Sequence, residues 1–202
     1  RFTFQRENSR IHAMDLSLSD LFGKTPKTIL TDNIINDQFV ELQYDILEIQ
    51  DYLENVLQLE SVACKDWLTN KVDRSVTGKI ALQQCVGELQ LPLNNLGAVA
   101  IDYQGVNGIA TSIGHAPVAA LIDAAKGSVL AISEALTNIV WAPLRYGLKG
   151  VSLSANWMWP ARNEGENARL YSAVEAASKF AISLGINIPT GKDSLSMTQK
   201  YP

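Results

Sequence analysis

The chain has 202 residues, 47% hydrophobic and 19% charged, with a formal net charge of -4. That length and balance suit one sizeable domain with an appendage and a core that needs no staples. The mild acidity lacks the basic stripe of a nucleic-acid binder, no apolar run reaches the roughly 18 residues of a membrane span, and the first residues lack a signal-peptide layout.

Residues 1–36 are polar with little periodicity and read as a connecting arm. One helical turn is expected within Asp15–Phe22, and Gly23-Lys24-Thr25-Pro26-Lys27 breaks it, because proline disfavours helix in the residue before it. From about residue 37 the pattern changes. Phe39, Leu42, Ile46, Ile49, Leu53 and Val56 recur at spacings of 3, 4, 3, 4 and 3, which predicts an amphipathic helix with Asp37 as its cap. Its apolar face needs cover, from the chain's own core or from a neighbouring domain.

Beyond Ser61, strands and helices interleave. Strands are expected at Lys79–Val86, Leu96–Asp102 and Gly108–Ile113, with short connections that favour antiparallel pairing. A long helix follows from about Ala119 to Val140, its stripe formed by Val129, Ile132, Leu136 and Ile139. Gly150–Trp157 reads as a strand. Asn167–Leu184 reads as a second amphipathic helix, facing the core with Leu170, Val174, Ala177 and Ala181 and stopped by Gly185. Ile186–Ile188 opens a last strand. The expected class is α/β (α+β), a layered mixed sheet with packed helices, in which residues 1–60 are arm and linker helix and 61–202 the domain. The start at Arg1 and the stop at Tyr201-Pro202 mark the sequence as an expected piece of a longer protein.

Glu134 and Asn138 lie four apart, so their oxygens neighbour each other on one helix face, a reasonable half-site for magnesium. A solvated face would explain the same spacing, but Ala131, Ala135, Ile139 and Val140 make a poor setting for one. Ser75, Thr77 and Gly78 in Val72-Asp73-Arg74-Ser75-Val76-Thr77-Gly78 suit an anion, or an ordinary hairpin turn. Gly191-Lys192-Asp193-Ser194 resembles the end of a phosphate loop, but Asp193 interrupts it and the upstream glycine position holds Ile186. His12 and His115 lack ligand-spaced partners and read as structural. Cys64 and Cys85 form neither a disulfide framework nor a zinc site and read as reduced thiols of a cytoplasmic protein.

Four runs occur together in one family. Asp73-Arg74-Ser75-Val76-Thr77-Gly78, Glu134-Ala135-Leu136-Thr137-Asn138, Ser154-Ala155-Asn156-Trp157-Met158 and Gly191-Lys192-Asp193-Ser194-Leu195-Ser196-Met197 resemble the second half of the synthetase region of large-type phosphoribosylformylglycinamidine synthase. Leu21-Phe22-Gly23-Lys24-Thr25-Pro26-Lys27 resembles the link entering that half. The resemblance implies a fold like the N-terminal domain of the aminoimidazole ribonucleotide synthetase family. It implies a part in an ATP- and glutamine-dependent ligase that converts formylglycinamide ribonucleotide to formylglycinamidine ribonucleotide in de novo purine biosynthesis.

In that family the first synthetase copy holds the working ATP site, and the second holds an auxiliary nucleotide, ATP or ADP, with Mg2+. Carried over, the magnesium ligands fall on Glu134, Asn138 and Asn95, and Asn94 neighbours the nucleotide through its backbone. The family has an aspartate where this chain has Asn95, an amide that can coordinate but brings no charge. A last ligand is expected beyond residue 202. The implied partners are the other domains of the same chain, the first synthetase copy and a glutaminase domain whose cysteine nucleophile matches neither Cys64 nor Cys85. No catalytic residue is assigned to this piece, and uncovered strand edges imply self-association. The alternative is a purely structural assembly domain that binds neither nucleotide nor metal.

Overall fold

Contacts divide the chain into two units, Arg1–Thr31 and Asp32–Pro202. The computed structural model describes residues 1–24, 26–27, 29–35, 39–60, 62–64, 78–83, 85–90 and 95–201. The expected cap Asp37, residues 73–77 of the anion-suited turn, and Asn94 lie outside the described residues.

The first unit has more structure than its polar sequence predicts. β1 (Phe2–Gln5) and β2 (His12–Leu16) form an antiparallel hairpin, with Asn8 left-handed at φ 62° between them. Arg1 grips Asp15 across the pair, and this contact holds the Asp15 carboxyl below its ordinary range. α1 (Leu18–Phe22) follows, closed by a reciprocal capping box between Ser17 and Asp20 and ended by Gly23. The hairpin strands bury almost nothing, so no apolar alternation announces them.

The second unit opens with a helix shorter than its periodicity predicts. α2 spans Ile49–Gln58, preceded by a 3-10 turn at Ile46–Glu48. Asp45 accepts from the Leu47 N–H at 2.9 Å and its own N–H bonds the Tyr52 hydroxyl, so the start falls at Asp45 rather than Asp37. No residue of α2 is buried.

β3 (Ile80–Leu82), β4 (Leu96–Ala100) and β5 (Gly108–Ser112) form an antiparallel sheet in that order. β4 ends two residues short of its expected limit because the Asp102 carboxylate accepts the N–H groups of Gln104 and Gly105 and turns the chain. The expected single long helix is two. α3 (Pro117–Ile122) starts on proline, and α4 (Ala124–Ile139) starts after Asp123, which is extended at φ -143° and ψ 105°. The Asp123 side chain caps the Lys126 N–H, a bond incompatible with continuous helix. Gly127 then lets α3 fold against α4, since a Cβ there would stand 2.5 Å from Ala120 Cα.

β6 (Ser152–Met158), α5 (Glu166–Leu184) and β7 (Asn187–Ser194) form a β-α-β unit with parallel strands. Gly185 ends α5 at φ 68°, as its position predicts. The buried side of α5 is Ala173, Ala177 and Ala181; Ala177 and Ala181 are as expected and Leu170 is half-buried, but Ala173 takes the place expected for Val174, which is exposed. Small side chains allow α4 and α5 to approach closely, so the alanines take the interface. Leu96, Leu136, Ile139, Val151 and Ile186 form the core between the strands and α4. The result is an α/β fold in which packed helices cover two small sheets, one antiparallel and one parallel. Among the described residues, no helix is long and apolar enough to cross a membrane.

Candidate functional site

The face of α4 that carries Glu134 and Asn138 is bound along its length by the chain leaving β5. Ser112 Oγ donates to the Ala135 carbonyl at 2.7 Å. Two residues on, Gly114 passes so close that a Cβ would lie 2.1 Å from the Ala131 oxygen and 2.3 Å from the Ala135 nitrogen. Only glycine fits there. Asn138 Nδ2 donates to the Ile113 carbonyl at 3.0 Å, and His115 Nδ1 lies 3.8 Å from Glu134 Oε1.

These contacts decide what the pair can do. The Asn138 amide nitrogen is committed to a backbone carbonyl, so its oxygen is the atom available to a cation. Glu134, half-buried with its side chain 40% exposed, places a carboxylate one turn earlier. Two oxygen donors on adjacent turns match the preference of magnesium for hard ligands. They make half a site, and among the described residues no group of three or more His, Cys, Asp or Glu assembles to complete one. The remaining oxygens would come from amides, from phosphate or from elsewhere in the protein.

Asn95 is exposed and immediately precedes β4. Leu96 pairs with Ser112, and the same register carried one residue further sets Asn95 across from Ile113, the residue whose carbonyl holds Asn138. The backbone therefore directs Asn95 and Asn138 to the same end of the β4–β5 pair.

Sequence reasoning missed three members of this arrangement. His115, read as structural, is 78% exposed and sits at ion-pair distance from Glu134. Ser112 and Gly114 fix the approach of β5 to the helix. The available signal was the run Ser112-Ile113-Gly114-His115 at a strand end, where a glycine permits close backbone approach.

Ser154–Met158 and Gly191–Ser194 are neighbouring strands, with Asn156 paired to Lys192 and Trp157 to Asp193. Lys192 is thus in a strand, its ammonium on the Ser194 hydroxyl, which agrees with rejecting a phosphate loop. Cys64 is exposed and Cys85 is buried, and the two form no disulfide. His12 belongs to the β1–β2 hairpin.

Residues 64–202 match the family described as the FGAR-AT PurM_N-like domain. The chain is 48% identical over 151 residues to the probable phosphoribosylformylglycinamidine synthase of Caenorhabditis elegans, covering 75% of this chain and 11% of that protein. It is 47% identical over 154 residues to the phosphoribosylformylglycinamidine synthase of Homo sapiens, covering 76% of this chain and 11% of that protein. It is 43% identical over 188 residues to the probable chloroplastic/mitochondrial enzyme of Arabidopsis thaliana, covering 92% and 13% respectively. The chain therefore spans only about an eighth of the length of the curated relatives it matches.

Proposed function

Because the chain belongs to the FGAR-AT PurM_N-like domain family, we propose that it is the second synthetase-like domain of a phosphoribosylformylglycinamidine synthase and supplies a scaffold and an auxiliary nucleotide site. The whole protein would be a cytoplasmic, ATP- and glutamine-dependent ligase of purine biosynthesis. Residues 1–60 would serve as arm and linker helix, and residues 61–202 as the domain that pairs with the first synthetase copy. Glutamine hydrolysis would belong to a separate glutaminase domain.

The observation that carries this reading is the pair Glu134 and Asn138, which Ser112, Ile113 and Gly114 hold on one face of α4. Magnesium bound there would neutralise the phosphates of ATP or ADP. Glu134 supplies the charge. Asn138, oriented by the Ile113 carbonyl, supplies an amide oxygen, Asn95 supplies another from the end of β4, and Asn94 lines the nucleotide. No residue of this chain is assigned a chemical step. Asn95 in place of an aspartate, together with the imidazole beside Glu134, favours a second reading in which the domain serves assembly alone and binds neither metal nor nucleotide.

Titration calorimetry of the full-length protein with Mg-ADP separates the two. The nucleotide-site reading expects two bound nucleotides, falling to one in Glu134→Ala. One nucleotide in the wild type, with the count unchanged in Glu134→Ala, would favour the assembly reading.

A further inference from the structure

α5 has no cap of its own. Its N-cap is Gly165, left-handed at φ 80°, and no local side chain bonds the first turn. A helix start leaves its first N–H groups unpaired. Here a residue far away in sequence satisfies them. Asp32 Oδ1 accepts from the Gly165 N–H at 3.0 Å, and Asp32 Oδ2 accepts from Asn167 at 2.9 Å and Ala168 at 3.3 Å. Three residues on, Ile35 covers the same point: a Cβ on Gly165 would stand 2.9 Å from Ile35 Cδ1. Gly165 is thus required twice, by its backbone angle and by the side chain above it.

We propose that residues 32–35 are a clasp that closes on the first turn of α5 through two side chains, Asp32 and Ile35, and opens as a unit without unwinding the helix. The attachment is narrow. Among the described residues, Asp32 makes all of the strap's hydrogen bonds to α5, while Asn33 and Ile34 face solvent. The helix start has other supports that remain when the clasp opens. Trp159 Nε1 donates to the Glu166 carbonyl at 3.0 Å, and Asn167 Nδ2 donates to the Ala161 carbonyl at 2.9 Å. Further along, Ala173, Ala177 and Ala181 are buried.

The clasp closes on charge. The Gly165 N–H first, then those of Asn33, Ala168 and Asn167, hold the Asp32 carboxyl below its ordinary range. The charged groups on the first turn of α5 and its approach are Arg162, Glu164 and the Glu166–Arg169 pair at 3.4 Å. They are balanced in sign. A carboxyl whose folded pKa is depressed contributes fully above its unfolded value of about 3.9 and loses that contribution as pH falls through the lower folded value. The clasp therefore stays shut at neutral pH and releases only in acid.

Hydrogen exchange of the full-length protein, read peptide by peptide, tests the clasp. Asp32→Ala should speed exchange in peptides covering residues 163–169 on the order of tenfold, as loss of a cap does, and leave peptides covering 173–181 unchanged. Asp32→Asn, which keeps one acceptor, should fall between, and Ile35→Ala should give a smaller rise at the same place. Unchanged exchange at 163–169 in both Asp32→Ala and Ile35→Ala overturns the clasp, and so does equal acceleration along 173–181, because strap and helix would then open together.

Discussion

α2 and α5 look like kindred helices in sequence, each with a regular apolar stripe and charged residues opposite it. The structure treats them oppositely. α2 presents isoleucine, leucine and valine on its stripe and buries none of them. α5 presents alanine and buries Ala173 completely, with Ala177 and Ala181 nearly so. Apolar side chains state how much surface wants cover, but size decides how closely a neighbour can come. Alanine takes up little room between α5 and α4, so the two helices pack together on small side chains. The bulky stripe of α2 asks for a partner and does not specify where that partner lies.

The packed side of this contrast is most sharply tested at Gly114, where the chain leaving β5 crosses α4 with no room for a side chain. Gly114→Val would force β5 off the helix, break the Ser112–Ala135 and Asn138–Ile113 bonds, and cost about 4 kcal/mol, among the larger single-residue effects. A denaturant midpoint measures it. A loss below about 1 kcal/mol would show that the strand can move away cheaply and that the close approach does not hold the site.

Ala177→Leu asks the same question of the α4–α5 contact. Three added carbons at a nearly buried position should cost about 2 kcal/mol by overpacking. Unchanged stability would mean the helices are loosely apposed, and the difference between α5 and α2 would then be one of degree.

Much of this architecture was legible before the structure. β4, β5, β6 and α5 fall close to their expected limits because each has a period and a glycine or turn to bound it. Three of the shifted limits share a physical cause: an aspartate side chain accepting from backbone two or three residues on. Asp123 splits the long helix, Asp45 moves the start of α2, and Asp102 shortens β4. Aspartate at these places is ordinary in composition, and only the local bond reveals the break. The candidate site was half legible. Glu134 and Asn138 share a face by spacing alone, whereas His115 and Gly114 reach it through tertiary contact that no local pattern encodes. The Asp32 cap on α5 lies 133 residues from Gly165 and was equally hidden.

The smallest effect belongs to the other helix. Leu53 lies on the α2 stripe and is 57% exposed. Leucine and alanine differ little in helix propensity, and little burial is lost on truncation, so Leu53→Ala should alter stability by less than about 0.5 kcal/mol. The local ties of α2, the Tyr52–Glu48 bond and the edge contact of Tyr44 on Tyr52, do not involve it. Melting across a range of protein concentrations checks this. A loss of about 2 kcal/mol or more, the scale of removing a buried leucine, would break the comparison, because the stripe would then be covered in solution. If that loss also grew with concentration, the cover would be a second copy of the chain, since association stabilises by mass action.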